Sequence, residues 1–140
     1  MIDDLDFPAP AEGFVLTHFA VVRDQDRSRQ WYERVLGART INARDPVVMK
    51  VANSWIILNV GGGPTEDKPG VVLEAPSDPT RTGAFLNIRV ADIHQAYREW
   101  SEAGAEFLTE PKDRGAEIRC YMRDLDGHLI EVGQSTRTLG

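Results

Sequence analysis

The sequence predicts an α+β fold made of two βαβββ modules with their helices on the outside, and three observations carry that prediction. The first is a repeat. An apolar strand runs through an Asp into an amphipathic helix at Val22-Arg23-Asp24, and the same pattern returns at Val90-Ala91-Asp92. The second is order: each helix is followed by three short strand candidates, so each copy reads strand, helix, strand, strand, strand. The third is length, since 140 residues suit one domain with a substantial core, and two half-size modules fill that length better than two independent domains.

The elements follow in order. Residues 1–13 are acidic and Pro-containing, lack the basic start and apolar stretch of a signal peptide, and read as a mobile or loosely docked arm. Module one spans 14–60. Its first strand covers Val15 to Val22, and Asp24 or Asp26 caps a helix that places Trp31, Tyr32, Val35 and Leu36 on one face before Gly37 stops it. Three strands are expected at Arg39 to Ala43, Val47 to Val51 and Ser54 to Val60, with Asp45-Pro46 and Ala52-Asn53 as the turns between them. The loop 61–83 is long for a connection, which makes it a linker or a lid, with Gly61-Gly62-Gly63 as a flexible hinge.

Module two spans 84–134. It repeats the order with a strand from Ala84 to Val90, a helix from Asp92 to Ala103 stopped by Gly104, and strands at Glu106 to Thr109, Glu117 to Arg123 and His128 to Val132. Asp124-Leu125-Asp126-Gly127 is a tight turn closing the last hairpin. Residues 135–140 form a tail. Trp31 and Trp100, both on helices, are expected in the core.

Composition narrows the partners. The formal net charge is −6, from 16 Lys and Arg against 22 Asp and Glu, and no basic run stands out, which argues against nucleic acid and anionic membrane. The single cysteine, Cys120, excludes an internal disulfide and reads as a small buried hydrophobe in a reducing, cytoplasmic setting. The longest apolar run, Trp55-Ile56-Ile57-Leu58, is too short to cross a membrane. Gly61-Gly62-Gly63-Pro64 lacks the Gly-Lys-Ser/Thr of a phosphate loop, so no nucleotide cofactor is expected.

Three stretches resemble the vicinal oxygen chelate superfamily, which holds glyoxalase I, extradiol dioxygenases and the bleomycin and fosfomycin resistance proteins. They are Val22 to Gly37, its weaker copy Val90 to Gly104, and Arg123-Asp-Leu-Asp-Gly-His-Leu-Ile-Glu-Val132. The resemblance implies that each module curls its strands into half of a cup-like mixed sheet and that a small substrate sits inside. It also implies a homodimer, and a divalent metal held by a His or Gln on a first strand and a Glu on a final strand. Glu131, four residues past Gly127, stands at the family's final Glu and would act as metal ligand and as catalytic base; His18 is near the family's first ligand. The match is incomplete. His18 precedes Asp24 by six residues where the family has seven, so alternation turns it to the opposite face unless a bulge intervenes, and that spacing favours a hydrogen-bonded histidine packed under the helix over a ligand. Ile57 or Leu58 stands where a second Glu would be, and the second module offers only Asn87.

Alternation supplies the remaining candidates. Asn87 and Arg89 share one face of their strand while Leu86, Ile88 and Val90 take the other, and Arg119, Tyr121 and Arg123 lie opposite Ile118, Cys120 and Met122. An Arg inside a cup suits an anionic or carbonyl-bearing ligand; the alternative is a salt bridge to a strand acid such as Glu131. Trp55 either floors an aromatic-lined pocket or simply packs. Two functions fit: metal-dependent lyase, isomerase or ring-cleaving dioxygenase chemistry, or metal-free sequestration of a small molecule or antibiotic.

Overall fold

A computed structural model describes residues 7–136. The chain divides into two compact units, the first ending at Ser77 and the second beginning at Asp78. The first is a βαβββ module, and the second repeats that order with one additional two-residue strand.

In the first, β1 (His18–Val21) leads into α1 (Gln25–Leu36), then β2 (Arg39–Asn42), β3 (Val47–Val51) and β4 (Ser54–Asn59). The sheet order is β1-β4-β3-β2, with β1 parallel to β4 and the remaining pairs antiparallel. Asp24 caps α1 by accepting from the Arg27 backbone N–H, and Gly37 ends it with φ of 67°, a left-handed conformation that glycine adopts without a Cβ clash. The helix buries Trp31, Tyr32 and Val35. Ala20, Val47, Met49, Ile56 and Leu58 are buried on alternate sheet positions, and these form the module's core. Gln25 fixes the turn before β3, donating from Nε2 to Asp45 Oδ1 at 3.1 Å and accepting from the Asp45 N–H at 2.9 Å.

The second module places β5 (Leu86–Arg89), α2 (Ile93–Glu102), β6 (Glu106–Phe107), β7 (Lys112–Asp113), β8 (Glu117–Arg123) and β9 (Leu129–Ser135) in that order. Its sheet runs β5-β9-β8-β6, with β7 also pairing with β8 and β5 parallel to β9. Asp92 caps α2 through the Gln95 N–H, and Ile93, Ala96, Cys120, Met122, Ile130 and Val132 are buried. The Asp124 carboxylate accepts from the backbone N–H of both Asp126 and His128, which closes the β8–β9 hairpin as the Asp-rich turn required.

The differences from the sequence reading are local. Strand β1 begins at His18 because Val15 and Leu16 are exposed and find no ladder partner there. The two-residue β7 was not expected, and β9 runs to Ser135, into the stretch read as tail. Trp100 is only half-buried, since α2 presents Ile93 and Ala96 to the sheet. The glycines after β4 are held in a backbone pairing: Gly62 and Leu73 exchange two backbone hydrogen bonds, and a Cβ on Gly61 would stand 2.3 Å from the Leu73 carbonyl oxygen. Close approach of two backbone segments requires glycine there. Residues 1–6 of the expected arm and 137–140 of the tail lie outside the described residues.

Candidate functional site

The candidate site is the face of the second module's sheet turned away from the buried positions. Registry assembles it from three strands: Asn87 on β5 pairs with Glu131 on β9, which pairs with Tyr121 on β8. In the next row Arg89 pairs with Gly133, and Gly133 with Arg119. Glu117 and Ser135 pair beyond them. Because side chains alternate across a strand, these rows share one face while Ile88, Cys120, Ile130 and Val132 point the other way.

Glu131 is the hub. It is 8% exposed, and both carboxylate oxygens are engaged: Asn87 Nδ2 donates to Oε1 at 3.0 Å, and the Tyr121 hydroxyl donates to Oε2 at 3.0 Å. Arg89 Nη1 lies 3.6 Å from Oε1. A buried carboxylate needs this satisfaction, since leaving it bare of donors would cost several kcal/mol. Burial, then the hydrogen bond to Glu131, pushes the Tyr121 phenol above its ordinary value. Phe85 packs edge-on against the Tyr121 ring with centroids 6.1 Å apart.

Arg89 lies flat across the sheet. Its Nη2 donates to Glu117 Oε2 at 2.9 Å and to Ser135 Oγ at 3.0 Å. A Cβ on Gly133 would fall 2.0 Å from Arg89 Nη1, so the guanidinium occupies the space that any other residue would fill. Arg119 reaches the same carboxylate group, Nη1 to Glu117 Oε1 at 3.3 Å. The Arg89 hydrogen bond is the main reason the Glu117 carboxyl is held below its usual range, with Arg119 adding to it.

The sequence profile of the Glyoxalase/Bleomycin resistance protein/Dioxygenase superfamily matches residues 15–132. The chain belongs to that superfamily. Its fold is shared with solved members at low identity. A glyoxalase/bleomycin resistance protein/dioxygenase from Nocardioides is 17% identical, with a TM-score of 0.70 over 94% of this chain and 93% of that one. The fosfomycin resistance protein FosX from Mesorhizobium loti is 19% identical, with a TM-score of 0.61 over 87% and 92%. TioX from Micromonospora sp. ML1 is 18% identical, with a TM-score of 0.62 over 90% and 99%.

Against the superfamily's pattern, Asn87, Arg89, Arg119, Tyr121 and Glu131 come together on one face as alternation suggested. Arg89 is ion-paired with Glu117 as well as Glu131. His18 and Trp55 belong to the other module. His18 pairs with Ile56 and shares the face of Ala20 and Leu58, the buried side, while Phe19 and Ile57 turn to the opposite face. The six-residue spacing to Asp24 therefore holds without a bulge, and Thr17, at the seven-residue position, is exposed.

Glu117, Gly133 and Ser135 complete the network and were missed as site residues. The signal for Gly133 was in the sequence: a glycine inside a strand marks close approach of another group. Glu117 sits in phase with Arg119, Tyr121 and Arg123, so alternation alone would have placed it on the face.

The donor set does not fit the divalent ion that superfamily members commonly use. The face offers two carboxylates, both engaged: Glu131 accepts from Asn87 and Tyr121 with the Arg89 cation beside it, and Glu117 accepts from Arg89 and Arg119. A divalent ion there would meet two fixed positive charges and two occupied carboxylates. Among the described residues no three His, Cys, Asp or Glu side chains converge to hold a metal, and no helix is long and apolar enough to cross a membrane.

Proposed function

We propose that this chain binds a small organic anion, a carboxylate or phosphonate, on the open face of its second module through Arg89 and Arg119, without a resident metal ion. The observation that carries the reading is the pair of arginines flanking Gly133 in register. Their side chains are 41% and 38% exposed, and a residue with no side chain lies between them. The two arginines stand two strand spacings apart, about 10 Å between backbones, and both side chains already reach the Glu117 carboxylate, so they can converge on one small anion. Guanidinium forks suit the paired oxygens of a carboxylate or phosphonate. In this reading Glu131 is a positioning residue, holding Asn87 and Tyr121 at the rim, and Glu117 keeps the arginines aligned until a ligand takes their outer N–H groups.

Sequestration of an anion is the reading that the incomplete ligand positions support, because Ile57 stands in the first module where the second has Glu131, and His18 lies on the buried side of its sheet. The fosfomycin resistance proteins among the structural neighbours make small oxygen-rich molecules a sensible class to screen. We further infer self-association as a homodimer, supported by the exposure of Phe14 and Leu16 at 83% and 79%. Sedimentation equilibrium reads it directly, and a monomer at high micromolar concentration would end that part of the reading.

Calorimetric titration of small carboxylates and phosphonates, with and without EDTA, tests the main proposal. Binding should persist in chelator and weaken at least tenfold in Arg89→Ala. Stoichiometric divalent metal in protein purified without chelator, lost in Glu131→Ala, would overturn it. His18→Ala serves as the companion measurement for the same elemental analysis.

A further inference from the structure

The first module's open face carries an apolar cluster that the proposed anion site does not use, centred on Trp55. Ile41, Val48 and Trp55 are buried there, to 5%, 8% and 9% exposure, and Phe7 packs against them from the segment preceding β1. Trp55 pairs with Lys50 across the β3–β4 ladder, opposite in phase to the buried Met49 and Ile56, so this cluster lies on the side of the sheet away from the α1 core. The Lys50 ammonium stands 3.7 Å from the Trp55 ring centroid. Between Phe7 and β1 the chain has little to hold it: every residue from Ala9 to Thr17 is exposed. A hydrogen bond from Ser54 Oγ to the Leu16 carbonyl, at 2.6 Å, secures its far end.

We propose that this cluster is a binding site for the ring of a small aromatic carboxylate, and that Phe7 is its tethered resident, which such a ligand displaces. Three features combine. The walls are one indole and two aliphatic side chains, which accept a planar ring by apolar burial and edge or face contact. The cation at the rim, already on the Trp55 ring, supplies a partner for a carboxylate. Phe7 arrives on an exposed tether whose release breaks few contacts, and such segments open at low free energy. An intramolecular occupant of this kind lowers apparent affinity by the fraction of molecules in which the site is open.

The test uses the full chain and 2-naphthoate. In calorimetry Phe7→Ala should bind it roughly tenfold more tightly than the unmodified protein, as expected when a competing ring is removed. Phe7→Ala/Trp55→Ala should lose that gain, and Phe7→Ala/Lys50→Met should lose part of it. No gain in Phe7→Ala, or a gain that survives loss of Trp55, would overturn the proposal. A second measurement needs no destabilising variant. With 4-fluorophenylalanine incorporated, the ¹⁹F resonance of Phe7 should move to a solvent-exposed position at saturating 2-naphthoate, and an unmoved resonance there would equally refute displacement. Neither readout involves Arg89 or Arg119, so this site and the anion site of the second module stand or fall separately.

Discussion

The two modules agree on one face of their sheets and diverge on the other. Aligned by register, the first module's Met49, Ile56 and Leu58 correspond to the second's Met122, Ile130 and Val132, and all six are buried at 1% exposure or less. The open faces share almost nothing. Phe19, Val48 and Ile57 in the first module stand where the second has Asn87, Tyr121 and Glu131, and Trp55 and Lys50 stand where it has Leu129 and Arg123. A duplicated unit keeps whatever packs its helix, because core volume changes are costly, while the face that packs no helix is at liberty to specialise. One module became a polar network and the other an apolar shelf.

The largest effect should come from removing the hub of the polar network. Glu131→Leu leaves Asn87 and Tyr121 without their acceptor and Arg89 with one carboxylate fewer, and should cost about 3 kcal/mol in denaturant unfolding. Making the face apolar, as the first module's is, by adding Asn87→Val and Tyr121→Phe, should return more than half of that, since it removes the two polar groups left without an acceptor. If the triple variant is no more stable than the single one, the two faces are not interchangeable solutions to the same sheet.

A second contrast lies on the buried face. Cys120 stands where the first module has Val47, and burial pushes its thiol from 9.0 up to about 11. Below pH 9 both folded and unfolded chains hold the proton, and the contribution to stability is complete. Between pH 9 and about 11 the unfolded thiol ionises while the folded one does not, so stability should fall by about 2–3 kcal/mol across that window. The raised Tyr121 phenol acts in the same direction at higher pH. Cys120→Val should flatten the part of the decline that begins at pH 9, measured as unfolding free energy against pH. An unchanged slope would mean that the thiol is not the group responsible.

The shared face was the legible one. Apolar periodicity, the Asp caps and the glycine stops located both helices and nearly every strand, because those signals encode packing that both copies need. The Asn87–Arg89 and Arg119–Tyr121 alternation also placed most of the second module's face. Two things were out of reach for physical reasons. Whether Glu131 binds a metal or protein donors depends on cross-strand register, which pairs Asn87 and Tyr121 with it from positions 44 and 10 residues away. The packing of Phe7 against the cluster of Ile41, Val48 and Trp55 joins a segment without regular structure to strands β2, β3 and β4, and no period announces such a pairing.

The smallest effect on stability is also the sharpest probe of the difference between the faces. Gly133 corresponds to Asn59 in the first module, so a side chain is tolerated at that register when no arginine crosses it. Gly133→Ala places a methyl group 2.0 Å from Arg89 Nη1, but the obstacle is the far end of a flexible side chain, which can swing outward. The lost Arg89 contacts with Glu117 and Ser135 are offset in part by the lower conformational entropy of an unfolded chain with Ala in place of Gly. Unfolding free energy should therefore change by no more than about 1 kcal/mol. Anion binding should nonetheless fall as far as it does in Arg89→Ala, because the guanidinium can no longer lie beside Arg119. Full binding in Gly133→Ala would show that the flat arrangement of Arg89 is a resting position and not the binding geometry.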